Sequence, residues 1–158
     1  MQALVFTGFA SSLPSGISVE AGGDYSAFTG AAGYDYGEVY LGVAKENIGA
    51  RIYYAPRYYG QPANALYVEI NGTQPLTDSV RLLVHVGWLN TRSTYPYGPQ
   101  VEQHVVDGRI GLAVDFDLFH VELGWVGTNS KNNITNVDYR IAGNSSPNTV
   151  VLTLSRQF

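Results

Sequence analysis

Apolar residues recur at every second position through nearly the whole chain, and the alternation persists over segments longer than ordinary strands. The clearest runs are Val39/Leu41/Val43, Leu66/Val68/Ile70, Val80/Leu82/Val84/Val86/Trp88, Ile110/Leu112/Val114/Phe116, Phe119/Val121/Leu123/Trp125 and Val150/Leu152/Leu154. A period of two is the signature of a strand with one apolar face, and no segment carries a competing period of 3.6. Nine strands are predicted, at residues 2–13, 17–29, 35–45, 49–59, 64–75, 79–90, 102–116, 118–128 and 148–158. Most reach the roughly 9–11 residues that a tilted strand needs to cross a bilayer, against about 5–6 in soluble sheets.

The intervening positions decide between water and lipid. They hold Glu38, Tyr40 and Gly42, then Arg51 and Tyr53, then Tyr67, Glu69 and Asn71, then Arg81 and His85. Further along come Asp107, Arg109, Gly111 and Asp115, then His120, Glu122 and Gly124. Charges mixed with Gly and Tyr suit a crowded interior better than the Lys, Glu and Thr of a solvated face. Only 14% of residues are charged, well below the usual quarter, and the two lysines, Lys45 and Lys131, avoid strand centres. These features predict an all-β, antiparallel, up-and-down transmembrane β-barrel forming a single domain over residues 1–158. Its apolar residues would point into lipid and its polar ones into the lumen.

The connections give an independent indication. Pro14-Ser15-Gly16, Glu46-Asn47-Ile48, Leu76-Thr77-Asp78 and Asp117 are tight turns, whereas 60–63, 91–101 and 128–148 are longer and 30–34 is intermediate. Short turns at one end and long loops at the other are the asymmetry of bacterial outer-membrane barrels. Tyr54, Tyr58, Tyr59, Trp88 and Trp125 gather toward the long-loop end, with Phe116 and Phe119 at the other, as two aromatic girdles would. Nine strands conflict with the even count of single-chain bacterial barrels, so one or three strands are expected to precede Gln2. The weak alternation of Val137, Tyr139 and Ile141 offers a different parity.

Other classes fall away. A net charge of −4 argues against nucleic acid, which calls for a basic face. Without Cys there is no disulfide, thiolate nucleophile or thiolate metal site. No apolar run approaches a spanning helix, and Met1-Gln2-Ala3-Leu4 does not open a signal peptide.

The run Tyr34-Asp35-Tyr36-Gly37-Glu38-Val39-Tyr40-Leu41-Gly42, with Tyr53-Tyr54-Ala55-Pro56-Arg57-Tyr58-Tyr59-Gly60 and Ala65-Leu66-Tyr67-Val68-Glu69, resembles the TorF-like porin family of proteobacteria. So does the end, Leu152-Thr153-Leu154-Ser155-Arg156-Gln157-Phe158, although Arg156 stands where many barrels carry an aromatic. The likeness covers most of the chain, is strongest over 34–90 and is weakest over 128–148. It implies an outer-membrane pore-like protein that usually carries further N-terminal strands. It also implies that the assembly machinery reads the terminal Phe158.

The luminal charges Glu38, Arg51, Glu69, Arg81, Asp107, Arg109, Asp115 and Glu122, with His85 and His120, are the candidate site. They fit either a selectivity lining or a salt-bridge ladder that fills a narrow barrel. His85, His120 and Glu122 raise acid–base or metal chemistry, yet no third ligand has a suitable spacing, so they read as members of the polar network. Ser18, Ser26 and Ser155 sit in no nucleophile motif. No catalysis, metal or cofactor is expected. The Tyr-rich 53–59 segment reads as girdle rather than sugar site, and Asp24, Asp35 and Asp138 as solvated carboxylates rather than a cation site. The expected partners are the lipid bilayer, lipopolysaccharide, the assembly machinery and a small polar solute. The expected function is porin-like diffusion of small polar solutes or ions across the outer membrane. Two other readings fit the alternation: a closed structural or adhesive barrel, and a soluble ligand-binding barrel.

Overall fold

The computed structural model describes residues 1–93, 102–129 and 148–156. Nine strands run along them: β1 (Gln2–Ser12), β2 (Ile17–Phe28), β3 (Tyr36–Lys45), β4 (Ile48–Ala55), β5 (Ala63–Pro75), β6 (Val80–Ser93), β7 (Glu102–Phe116), β8 (Phe119–Thr128) and β9 (Asn148–Arg156). Each pairs antiparallel with the next, so one sheet carries all nine in chain order. The fold is all-β and up-and-down. Two short 3-10 turns, Ala32–Tyr34 and Tyr58–Gly60, are the helical elements among the described residues. No helix there is long and apolar enough to cross a membrane, which says nothing of strands.

The register turns the alternation in sequence into two faces of opposite character. One face carries rows such as Val39–Tyr54–Leu66 and Leu41–Ile52–Val68–Trp88, with Leu82–Leu112–Leu123–Leu152 further round. The other carries most of the strand charges, His85, His120 and Tyr40, Tyr53 and Tyr67. A water-soluble sheet would cover its apolar face with a second layer. Here that face is bare: Leu41 is 61% exposed, Ile110 52% and Leu152 69%. Among the described residues, the buried ones are Ala55, Ala65, Ala113, Ser26 and the glycines Gly87, Gly111, Gly124 and Gly127, all small and all but Gly127 on the polar face. Side chains crowd on the polar side and splay on the apolar side.

At one end, connections are hairpins. Leu13 N–H donates to Ile17 O at 2.7 Å, and Leu76 N–H donates to Val80 O at 2.8 Å. Gly16, Glu46 and Asp117 take positive φ there, at 78°, 52° and 52°, which a tight strand reversal requires. The opposite end carries the longer connections, as the sequence pattern predicts.

One expectation is corrected: the fourth strand, predicted as 49–59, ends at Ala55. Pro56 has no N–H for the ladder, and Tyr59 (φ 50°) and Gly60 (φ 65°) turn left-handed. Tyr58 and Tyr59 therefore leave the strand and build a cluster with Phe28 and Tyr36, with ring centroids 4.6–6.1 Å apart. Burial, then the neighbouring Tyr59, Tyr36 and Glu38, push the Tyr58 hydroxyl above the usual phenol range. The sheet is open among the described residues, with β1 and β9 as its edges; nine alternating strands leave both running the same way, so no antiparallel bond can join them.

The two 3-10 turns meet at Gly60, where a Cβ would fall 1.9 Å from the Gly33 carbonyl oxygen. Gly60→Ala is expected to lower stability by about 1–2 kcal/mol and to alter the near-UV tyrosine signal. Gly30→Ala has a similar positive φ but open space around it, so its denaturation midpoint should move less.

Candidate functional site

On the polar face, cross-strand partners line up in rows. One row runs Glu20–Gly42–Arg51–Glu69–Gly87–Asp107 across β2 to β7. The next, one pleat toward the hairpin end, includes Asn71–His85–Arg109. Beyond it lie Arg81 and Glu122, each opposite Ala113, and finally Asp115 opposite His120. The charges thus descend diagonally from the middle of β2 to the β7–β8 hairpin.

They are tied together in three groups. Arg51 is hydrogen-bonded to Glu20 and lies 3.6 Å from Glu69, whose carboxylate also accepts the Tyr53 hydroxyl at 3.3 Å. His85 meets Asn71 Oδ1 at 2.8 Å through Nδ1 and Asp107 Oδ1 at 2.9 Å through Nε2, while the Tyr67 hydroxyl donates to Asp107 at 3.3 Å. The third group is a chain of five. Arg81 binds Asp115 at 2.7 Å, Asp115 meets His120 Nδ1 at 2.5 Å, His120 Nε2 reaches Glu122 at 2.9 Å, and Glu122 binds Arg109. Every guanidinium of the polar face is committed to a carboxylate.

This network includes nine of the ten predicted site residues: Arg51, Glu69, Arg81, His85, Asp107, Arg109, Asp115, His120 and Glu122. Glu38 stands apart from them. It faces Asp24 across the β2–β3 ladder, and no guanidinium is bonded to either carboxylate among the described residues. Arg81 binds Asp115 rather than a neighbour in the predicted alternation of sign. Glu20, Asn71 and the tyrosines went unpredicted as members; the period of two places Glu20 on the charged face, but only the register sets it beside Arg51. Asp35 is engaged in structure, its carboxylate accepting the Phe28 N–H at 2.7 Å.

Glycines on this face are the floor on which large side chains lie. A Cβ at Gly22 would fall 2.6 Å from the Tyr40 ring, one at Gly42 would meet Glu20, and one at Gly87 would fall 2.1 Å from the Tyr67 hydroxyl. On the apolar face, Tyr54, Trp88 and Trp125 sit toward the long-loop end. Phe116 and Phe119 pair at 6.0 Å by the hairpin, with the Arg156 guanidinium 5.5 Å over Phe119. Phe158, the segment 94–101 with its Tyr-Pro motif, and 134–143 with Asp138 lie outside the described residues. Among the described residues no group of three or more His, Asp or Glu is arranged to hold a metal ion.

These features define an all-β protein built on one meandering sheet, with a bare apolar face and an ion-paired polar one. Residues 4–158 match the family described as a bacterial protein of unknown function (Gcw_chp), and the chain belongs to that family. No curated protein and no solved structure matches it.

Because His120 separates Asp115 from Glu122, its replacement exposes two carboxylates to each other. His120→Leu is expected to cost roughly 1–3 kcal/mol in chemical denaturation. Asp115→Asn should then cost less in the His120→Leu background than in the wild type. Equal costs in both backgrounds would mean that the chain of five is not coupled.

Proposed function

We propose that this protein is a bacterial outer-membrane β-barrel that lets small polar solutes or ions diffuse through a charged lumen. The observation that carries the reading is the inverted burial: aliphatic side chains bare on one face, charges gathered on the crowded other. In water that apolar face would far exceed the few hundred Å² that soluble monomers leave exposed, whereas lipid tails solvate it without penalty. Backbone geometry agrees with a membrane. From Val106, opposite Trp88, to Phe116 is ten residues of β7. That is about 34 Å along the strand and about 26 Å along the normal at a 40° tilt, close to the apolar band of such barrels.

In this reading Tyr54, Trp88 and Trp125 form one girdle and Phe116 and Phe119 the other, with lipopolysaccharide outside the long loops. Phe158 serves as the assembly signal, in keeping with the likeness to TorF-like porins. The polar lining resists a soluble barrel around an apolar ligand, since the crowded face is the charged one. A closed structural barrel is the second reading. It draws on the ion-paired network, which in a narrow cylinder fills the bore.

Reconstitution in planar bilayers separates the two: discrete conductance steps are expected, and a silent bilayer with folded protein present would remove the channel. Among described strand residues the polar face holds seven carboxylates (Glu20, Asp24, Glu38, Glu69, Asp107, Asp115, Glu122) against three guanidiniums (Arg51, Arg81, Arg109). The reversal potential in a salt gradient should therefore have the sign of a cation-preferring pore. In lipid, Leu112→Arg on the apolar face is expected to cost about 2–4 kcal/mol, and Leu83→Arg on the polar face far less. Equal costs in a refolding titration would invalidate the assignment of the faces.

A further inference from the structure

We propose that Tyr40, Tyr53 and Tyr67 form a carbohydrate-binding ramp on the wall of the pore, which rests on the channel reading above. The three are direct cross-strand partners on β3, β4 and β5. Their ring centroids stand 5.7 and 6.0 Å apart, and successive planes differ by only about 40°. That makes a continuous strip of aromatic surface rather than three separate side chains.

The glycines determine how the strip is presented. Tyr40 leans over Gly22 and reaches Gly8, where a Cβ would fall 2.7 Å from its hydroxyl. Tyr67 leans the opposite way, over Gly87 to Asp107. The rings at the two ends of the row therefore lie down on bare backbone, with one face against the wall and the other toward the interior. Fixing the phenol of Tyr53 on Glu69 and that of Tyr67 on Asp107 holds these rings at little further entropic cost on binding.

The flanks supply the polar half of the chemistry. On one side of the row lie Glu20, Arg51, Glu69 and Asp107; on the other lie Asp24 and Glu38. A sugar has apolar C–H faces and a rim of hydroxyls. Its faces match flat rings, and its hydroxyls can donate to ionised carboxylates in charge-assisted hydrogen bonds. An ion needs no aromatic strip, and an apolar ligand would be opposed by the carboxylates on both sides. In a barrel whose strands tilt by about 35–45°, a row perpendicular to the strands climbs around the wall. The strip then runs obliquely along the pore, as a path for a short neutral oligosaccharide.

The test uses ion current as its readout. Maltotriose and maltohexaose added to one side of a bilayer holding the full chain should reduce the current saturably. Replacing Tyr53 by Leu should weaken half-saturation roughly threefold to tenfold, each variant being scaled to its own sugar-free current. Tyr53→Phe, which keeps the ring, should stay near the wild type. So should Tyr54→Ala, one residue away on the apolar face. Normal conductance with no sugar block overturns the ramp and leaves the channel standing. If no conductance is seen, the channel reading fails, and calorimetric titration of maltohexaose into the folded protein in detergent decides the ramp. Saturable binding lost in Tyr53→Leu upholds it, and absence of binding overturns it.

Discussion

Backbone hydrogen bonding between adjacent strands carries this structure, because the described residues bury no large aliphatic or aromatic side chain. Globular domains gain most of their stability by burying large aliphatic and aromatic side chains. Here the buried described residues are three alanines, a serine and four glycines. The ladders from β1 to β9 leave strand interiors satisfied along eight successive antiparallel pairings. In hydrocarbon that satisfaction is the first requirement of any spanning structure, since an unpaired amide there finds no water. Under the proposed membrane reading, the bare apolar face and the paired interior strands answer to the same solvent.

The same constraint explains the placement of polar groups. Most strand charges share the polar face, and most of those there are paired. Arg51 sits between Glu20 and Glu69, and His120 sits between Asp115 and Glu122. Glycine is what makes the pairing sterically feasible. Where Gly42 and Gly87 stand in the rows, Glu20 and Tyr67 can lie across a neighbouring strand instead of standing upright from the sheet.

Most of the fold was legible in the sequence because a period of two needs no tertiary information. All nine strands fall where the alternation puts them, and eight keep their predicted extents to within three residues over the described part of the chain. The fourth overran because Tyr58 and Tyr59 continue an apolar pattern, while Pro56 and the left-handed pair after it end the ladder. Face membership was equally legible, residue by residue. Partnership was not. Whether Arg81 meets Glu69 or Asp115, or whether Glu38 faces Arg51 or Asp24, depends on register. Register is fixed by hairpin geometry, which a one-residue change in turn length would shift. The aromatic row was hidden for the same reason: Tyr40, Tyr53 and Tyr67 are separated by 13 and 14 positions in the chain.

Two populations of charge on one face imply two tasks. Arg51, Arg81 and Arg109 are bonded within the network, so they neutralise carboxylates and brace the sheet between β2 and β8. Asp24 and Glu38 are the opposite case, adjacent acids with no guanidinium bonded to them, on the long-loop side of the tyrosine row. Keeping two like charges opposite each other costs stability, and a purely structural lining would have little reason to retain them there. They lie beside the Tyr40–Tyr53–Tyr67 row, and so set two acceptors at the edge of an aromatic strip, the arrangement that the proposed sugar path uses.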